Sequence, residues 1–426
     1  MGTRRLGRSR TVSPTPRLAT LVALAAASAV VIAPVIAALL VAALLGAALA
    51  DALRVRAPPR AERTLPRVLS RGVPAALEVS LDGTHGNVRV RQPAQPDLRI
   101  ADPEGAGGLT TTITARRRGR HELGAVATRT RGPLGLGRWD HRLAGPADVL
   151  VYPDLDTARR LVLAVRDGRR REPGLRSRGP LGLGTEFERV REYVPEDDVR
   201  QVNWRATARL GRPMSNQHRV ETEKEVVLLV DAGRLMGAPL GDRTRLDAAL
   251  DAAAAVALVA DEVGDRCGVV AFDSAVLRRV RPGRRSGRAV VEALFDLEPS
   301  ARDADYELAF RLAAGSKRGW VLVLTDLLEE SAARPLVDAV GVLARRHAVL
   351  VAGATDPDVR ALAVPAEPVT ERGVLAAAVA LDVLAARERA AAQVRRAGAT
   401  VLEAPAPGLP AACVSAYLRA KARARV

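Results

Sequence analysis

The sequence predicts an α/β protein in three parts: an N-terminal transmembrane hairpin, a small β-sandwich-like domain and a doubly wound α/β sheet. Three observations carry that expectation. Between positions 18 and 50 no residue is charged; residues 64–155 alternate polar and apolar side chains between Gly- and Pro-rich turns; and from Glu225 onward continuous apolar runs alternate with amphipathic stretches. A chain of 426 residues is long enough for two or three folded units at about 150 residues each.

Residues 1–17 read as a basic cytoplasmic tail carrying Arg4, Arg5, Arg8, Arg10 and Arg17. The uncharged run that follows would be about 50 Å long as one helix, against about 30 Å of hydrocarbon. Pro34 lies near its middle, where a missing N–H divides the segment 18–53 into arms over 18–32 and 35–53. Arg54, Arg56, Arg60 and Arg63 come next, so basic residues flank both ends, and the positive-inside rule is met at both only if the chain returns to its starting side. The expectation is a cell-membrane protein with two spans and its soluble regions in the cytoplasm; one kinked span is the alternative. Ala48-Leu49-Ala50 offers a signal-cleavage site, but the apolar run is at least twice the about 7–15 residues of a secretory h-region.

In the region 64–155, alternating runs at 76–81, 88–90, 110–115 and 147–152 are separated by turn residues at 82–83, 93–96 and 103–108. Period-two patterning at that spacing predicts short strands stacked as a sandwich. The heptapeptide RGPLGLG at 131–137 recurs at 178–184. One copy closes the β region and the other lies in a basic connector, 156–224, so the repeat is local and not a solenoid period.

The last region, 225–426, has apolar runs at 226–230 and 267–272 that suit parallel strands covered on both faces. Further strands are expected at 320–325, 348–352 and 400–403, and helices at 243–263, 284–295, 306–314, 333–346, 371–396 and from 409. Strands alternating with helices give a doubly wound sheet, which takes its ligands beyond the C-terminal strand ends. Asp231, Asp273 and Asp326 stand at those ends. Three carboxylates there can hold a hard cation such as Mg²⁺. The simpler reading is that each caps the turn or helix that follows.

Net charge is +17, yet only three of the 65 basic residues are lysine, and the segment 220–426 balances 28 basic against 28 acidic side chains. The excess is dispersed arginine upstream, and aromatics are 3% of the chain, so a nucleic-acid partner is not expected. Cys267 and Cys413 lie in apolar surroundings far apart, which excludes a disulfide framework and any CxxC zinc spacing. GxSxG, HExxH and GxxxxGK[ST] are absent, the stretch 313–317 lacks the first glycine of a phosphate loop, and the five histidines are scattered. No catalytic residue is assigned, and the protein is not expected to be an enzyme.

The stretch TEFERVREYVPEDDVRQVNWRATAR at 185–209, running through Glu221, Thr222 and Glu223 into the strand that ends at Asp231, resembles the signature of the domain-of-unknown-function 58 family. Arg191, Glu192, Tyr193, Pro195, Asp197, Asp198, Arg200, Trp204, Arg209 and Glu223 carry the likeness; Glu196 stands where the family usually has glycine. Those are bacterial membrane proteins whose C-terminal part is similar to von Willebrand factor A domains. The resemblance implies a von Willebrand A-like sheet over 225–426 and a scaffold role beside a MoxR-type AAA+ ATPase that hydrolyses ATP. It also implies a metal site written Asp-x-Ser-x-Ser, but here the segment reads Asp231-Ala232-Gly233-Arg234-Leu235. Asp231 and Asp326 match its carboxylates and both hydroxyls are gone, which leaves a degenerate Mg²⁺ site that serines at 233 and 235 are expected to rebuild. The signature residues either dock a partner or pack the segment onto the sheet; Trp204 is expected to pack, Arg200 and Arg209 to dock. The alternatives are a metal-dependent adhesion-type receptor and an unrecognised enzyme.

Overall fold

A strand precedes the apolar helices. In the computed structural model, which describes residues 11–30, 34–83, 87–171, 181–194, 202–219, 224–315, 318–326, 330–364 and 370–423, the chain separates into two units, one ending at Tyr152 and the other starting at Pro153. The first unit opens with β1 (Thr11–Pro14), α1 (Pro16–Ala27) and α2 (Pro34–Arg54). Thr15 caps α1 by accepting from the Leu18 N–H, and Pro34 opens α2, where a missing N–H costs no helical hydrogen bond. α2 has 21 residues and a mean hydropathy of 2.4, the one helix among the described residues long and apolar enough to cross a membrane. α1 is apolar but shorter. Leu18 and Val22 share an apolar cluster with Leu44, Ala47 and Ala48, so the start of α1 meets the end of α2 and the two run antiparallel.

Eleven further strands complete this unit: β2 (Arg60–Thr64), β3 (Val68–Ser70), β4 (Ala75–Asp82), β5 (Asn87–Arg91), β6 (Leu98–Ile100), β7 (Glu104–Ala106), β8 (Leu109–Ala115), β9 (Gly119–Leu123), β10 (Val126–Arg131), β11 (Gly137–Leu143) and β12 (Ala147–Tyr152). They form sheets in the orders β2-β4-β8-β6, β1-β11-β10-β5-β7 and β3-β12-β9. The first sheet packs on the second through Val79, Val90, Leu109 and Val126, and on the third through Leu77, Ile113, Leu123, Val149 and Val151. The expected cytoplasmic tail ends differently: positions 11–14 pair with β11, from Thr11 opposite Asp140 to Pro14 opposite Gly137. A sheet edge leaves N–H and C=O groups unpaired, and the chain ahead of α1 satisfies them.

Two glycines of the first RGPLGLG copy, Gly132 and Gly137, are required by α2. Asp51, fully buried, accepts backbone hydrogen bonds from Leu134, Leu136 and Gly137 at 2.9, 2.9 and 3.0 Å. A Cβ on Gly132 would collide with the Asp51 carboxyl, and one on Gly137 would stand 2.5 Å from the Ala48 carbonyl. The close approach therefore admits no side chain at either position. In the second copy, 178–180 lie outside the described residues and 181–184 begin a strand.

The second unit begins with α3 (Leu155–Arg171), β13 (Leu181–Glu192), α4 (Trp204–Leu210) and β14 (Met214–Arg219). Then follow β15 (Glu225–Asp231), β16 (Pro239–Leu240), β17 (Arg243–Thr244), α5 (Arg245–Val263), β18 (Arg266–Phe272), β19 (Val276–Gly283), α6 (Gly287–Leu294), α7 (Tyr306–Ala314) and β20 (Trp320–Leu324). Last come α8 (Glu330–Leu343), β21 (Ala348–Thr355), α9 (Pro357–Leu362), α10 (Glu371–Arg396), β22 (Thr400–Pro405) and α11 (Leu409–Arg423). The sheet order is β19-β18-β15-β20-β21-β22, parallel except for β19. Numbered along the sheet this is 3-2-1-4-5-6, with the switch point between β15 and β20. One face carries α5 and α11, the other α7, α8 and α10.

Two elements depart from the expected layout. The connector opens as α3, whose Leu161, Val162 and Val165 pack against the core while Arg159, Arg160 and Arg166 are exposed, as on an amphipathic helix. The helix expected from 284 is shorter and is preceded by β19, a sheet edge in which Arg278, Arg279 and Arg281 erase a strand's usual apolar signal. Cys267 and Cys413 are buried free thiols, Cys413 pushed by burial to about 12, so neither is a reactive thiolate.

Candidate functional site

Asp231 and Asp326 flank the switch point, as the strand ends require. Asp231 closes β15, and Asp326 follows Thr325 at the end of β20. Gly233 N–H donates to Asp231 Oδ1 at 2.7 Å, while the hydroxyls of Thr325 and Tyr306 converge on Oδ2 at 2.7 and 2.8 Å. Burial pushes the Asp231 carboxyl up, and these three hydrogen bonds hold it back. The Tyr306 hydroxyl is held well above its ordinary range by its burial and by Asp231, so it stays a donor.

Asp326 meets cations supplied by the protein itself. Arg245, the first residue of α5, places Nη1 3.0 Å from Oδ1, and Arg387 of α10 places Nη2 3.0 Å from the same oxygen. Both arginines are 6% exposed. Arg245 also approaches Asp356 at 3.5 Å, and Arg387 bonds Glu403 at 3.0 Å. Burial pushes the Asp326 carboxyl up, and the two guanidinium groups pull against it. Burial likewise lowers the Arg387 guanidinium, but Asp326 and Glu403 outweigh it and hold the group above its usual range.

This donor set does not fit Mg²⁺. The ion takes oxygen ligands in a near-octahedral shell, whereas two fixed positive groups crowd Asp326 Oδ1 and three donors engage Asp231, which leaves Asp326 Oδ2 as the oxygen without a partner among the described residues. The sequence leads one to expect that restored hydroxyls rebuild the site; the geometry leads to the opposite expectation. A Cβ on Gly233 would lie 3.0 Å from the Arg302 carbonyl and 3.0 Å from Asp231 Oδ1, and both arginines would remain. Asp273, the third strand-end carboxylate, caps its own turn by accepting from the Ala275 N–H at 2.8 Å. Millimolar Mg²⁺ should therefore leave the melting temperature unmoved in the wild type and in Gly233→Ser/Leu235→Ser. A site filled to about a hundred times its Kd would add about 2.7 kcal/mol, well within reach of a melting curve. A shift in the double variant alone would show that the hydroxyls, and not the arginines, decide the matter.

The signature residues lie in a separate place. β13 and β14 pair antiparallel, with Glu192 opposite Met214, and α4 sits between them in sequence. Asn203 caps α4 by accepting from the Ala206 N–H at 2.9 Å, and the Thr207 hydroxyl accepts from the Met214 N–H at 3.0 Å, which ties the helix to β14. The Tyr193 N–H donates to the Pro213 carbonyl, the Arg191 side chain donates to the Glu192 carbonyl, and Glu192 faces Arg212 at 3.5 Å. Trp204, the first residue of the short helix α4, is 71% exposed, against the expectation that it packs. Arg205, Arg209 and Leu210 are exposed with it. Pro195, Asp197, Asp198, Arg200 and Glu223 lie outside the described residues.

Arg245, Arg387 and Tyr306 escaped the sequence reading. Arg245 did carry a signal: a cation at the first position of a helix opposes the helix dipole and needs a carboxylate nearby. Arg387, inside an alanine-rich helix, carried none.

Residues 189–400 match the family described as "Protein of unknown function DUF58". Uncharacterised proteins of Mycobacterium bovis and Mycobacterium tuberculosis are 29% identical over 183 residues, covering 41% of this chain and 56% of theirs. The chain thus spans about half the length of the curated relatives it matches. Among solved structures, a cohesin module from a Clostridium perfringens family 33 glycoside hydrolase covers 22% of this chain and 96% of its own at 10% identity and a TM-score of 0.16. A PKD domain of an M14-like peptidase from a Thermoplasmatales archaeon covers the same shares at 15% identity and a TM-score of 0.15. Likenesses that slight say nothing about this chain's fold.

Proposed function

With residues 189–400 matching that family, we propose that the protein is a membrane-anchored interaction module whose doubly wound unit is von Willebrand A-like and whose signature segment docks a MoxR-type AAA+ ATPase during assembly of protein complexes. The observation that carries the reading is the exposed Trp204, set beside Arg205, Arg209 and Leu210 on α4. A large aromatic ring among arginines is the side-chain chemistry that anchors interfaces. The von Willebrand A likeness is supported by the strand order with one antiparallel edge and by carboxylates at the switch point. A metal-dependent adhesion receptor asks for an ion where Arg245 and Arg387 stand.

Connectivity supports a two-span anchor. β1 precedes α1, β2 follows α2, and both strands belong to one unit, so a chain that leaves on α1 returns on α2. The arginines on either side of the pair support a cytoplasmic position for that unit, by the positive-inside rule. A reporter fused after Val426 should be active in the cytoplasm, and removing positions 18–33 should move it outside; an external signal from the intact fusion would overturn the topology. The partnership is tested by purifying the full chain from membranes with and without ATP: recovery of an AAA+ ATPase supports the module, and its consistent absence refutes it.

A further inference from the structure

The pole of the parallel sheet opposite Asp231 and Asp326 holds a cavity of about 720 Å³, enclosed by the N-terminal ends of β15, β18, β20 and β21 and by the last turns of α11. Its size is that of a small-molecule site, about 300–1,000 Å³. Two carboxylates line it, Glu225 and Asp265. Asp265 is already engaged, since it accepts from the Lys421 ammonium, the Tyr417 hydroxyl and the Lys224 N–H. Against these stand Arg266, Arg318, Arg345 and Arg346, so the lining carries a surplus of positive charge. Arg318 and Arg345 are exposed at its mouth.

A second observation marks the interior. His347 is 4% exposed, and neither of its ring nitrogens has a hydrogen-bond partner among the described residues; the Arg266 Nε is buried in the same condition. Buried polar atoms are nearly always bonded, and a group of unbonded donors lining one cavity is what an anionic ligand would satisfy. Burial, reinforced by Arg346 and Arg318, holds the His347 imidazole below its ordinary range. An anion beside it would reverse that bias. Trp320 and Tyr417, ring centroids 5.3 Å apart, supply an apolar wall for the uncharged part of a ligand.

We propose that this cavity binds a small phosphate-bearing molecule, its phosphate held by Arg318, Arg345 and Arg266 with His347, and its body against Trp320 and Tyr417. The same chemistry is offered by a soluble phosphate ester and by a phospholipid headgroup. The proposal is independent of the docking role of α4. The test is calorimetric titration of the full chain in nonionic detergent, with sodium pyrophosphate in one arm and monomeric dihexanoyl phosphatidic acid in the other, each against sodium chloride at matched ionic strength. Saturable binding of pyrophosphate is expected, weakened at least about tenfold in Arg318→Ala/Arg345→Ala, whose exposed positions leave the fold intact. His347→Gln, which keeps a donor but cannot become a cation, should weaken it less. Binding of the lipid alone, lost in the same double variant, would assign the phosphate to a headgroup. No saturable binding in either arm, or binding that the double variant leaves unchanged, would overturn the site.

Discussion

Asp326→Ala should lower the unfolding free energy of the α/β unit by about 3–5 kcal/mol, because it strands two buried guanidinium groups without the carboxylate they share. Glu403 and Asp356 remain beside Arg387 and Arg245, but both are more exposed than Asp326, so they offset only part of the lost attraction. The companion variant removes the charges together: Asp326→Leu with Arg245→Met and Arg387→Met. Replacing a buried ionic cluster by apolar side chains of similar volume is often neutral, so three changes should cost less than about 2 kcal/mol where one costs more. Urea unfolding followed through amide protection in β20 and β21 reads both. If the single change costs under about 1 kcal/mol, water reaches the cluster and the arginines do not depend on Asp326. If the triple variant is as unstable as the single one, packing volume matters and charge does not.

The second large effect belongs to Trp204. At 71% exposure its removal leaves almost no cavity, so Trp204→Ala should leave the melting temperature nearly unchanged. If the ring anchors the ATPase, the same change weakens association by about 2 kcal/mol or more, roughly thirtyfold in Kd. Arg209→Ala, also exposed, should weaken it less, since a rim charge acts mostly on the rate of encounter and is screened by salt. The comparison needs only purified full-length variants, the co-purified ATPase and a binding isotherm. Unchanged affinity for Trp204→Ala would remove α4 from the interface. A fall in melting temperature that tracks the loss of binding would mean that the ring supports the hairpin of β13 and β14.

These two residues show how differently the chemistry was written into the chain. Asp231 and Asp326 were legible as a pair because strand ends gather at one edge of a doubly wound sheet, a consequence of topology that apolar runs disclose. Their environment was not. Arg245 and Arg387 reach Asp326 from α5 and α10, far away in sequence, and no local pattern records that convergence. The sequence showed the missing hydroxyls but was silent about the two arginines beside Asp326. With Trp204 the sequence supplied the residue and its neighbours, but scarcity of aromatics argued for burial, and only the tertiary structure, in which α4 buries none of its residues, decided the exposure.

By itself the sequence determined what depends on neighbours along the chain. α7 and α10 begin and end where periodicity placed them, at Tyr306–Ala314 and Glu371–Arg396, because side chains of Asp305 and Thr370 cap them locally. β15, β18 and β20 are continuous apolar runs, and burial on both faces leaves no other composition for them. Only the tertiary structure decided what depends on partners distant in sequence. β1 pairs with β11 across the whole apolar segment, and β19 is an arginine-bearing edge that its register on β18 alone makes a strand. RGPLGLG needs Gly132 and Gly137 because α2 lies against it. Local sequence fixes backbone preference and the face each element must bury; which distant groups meet there, and whether a carboxylate finds an ion or an arginine, is settled by packing, where the cost of an uncompensated buried charge selects the arrangement.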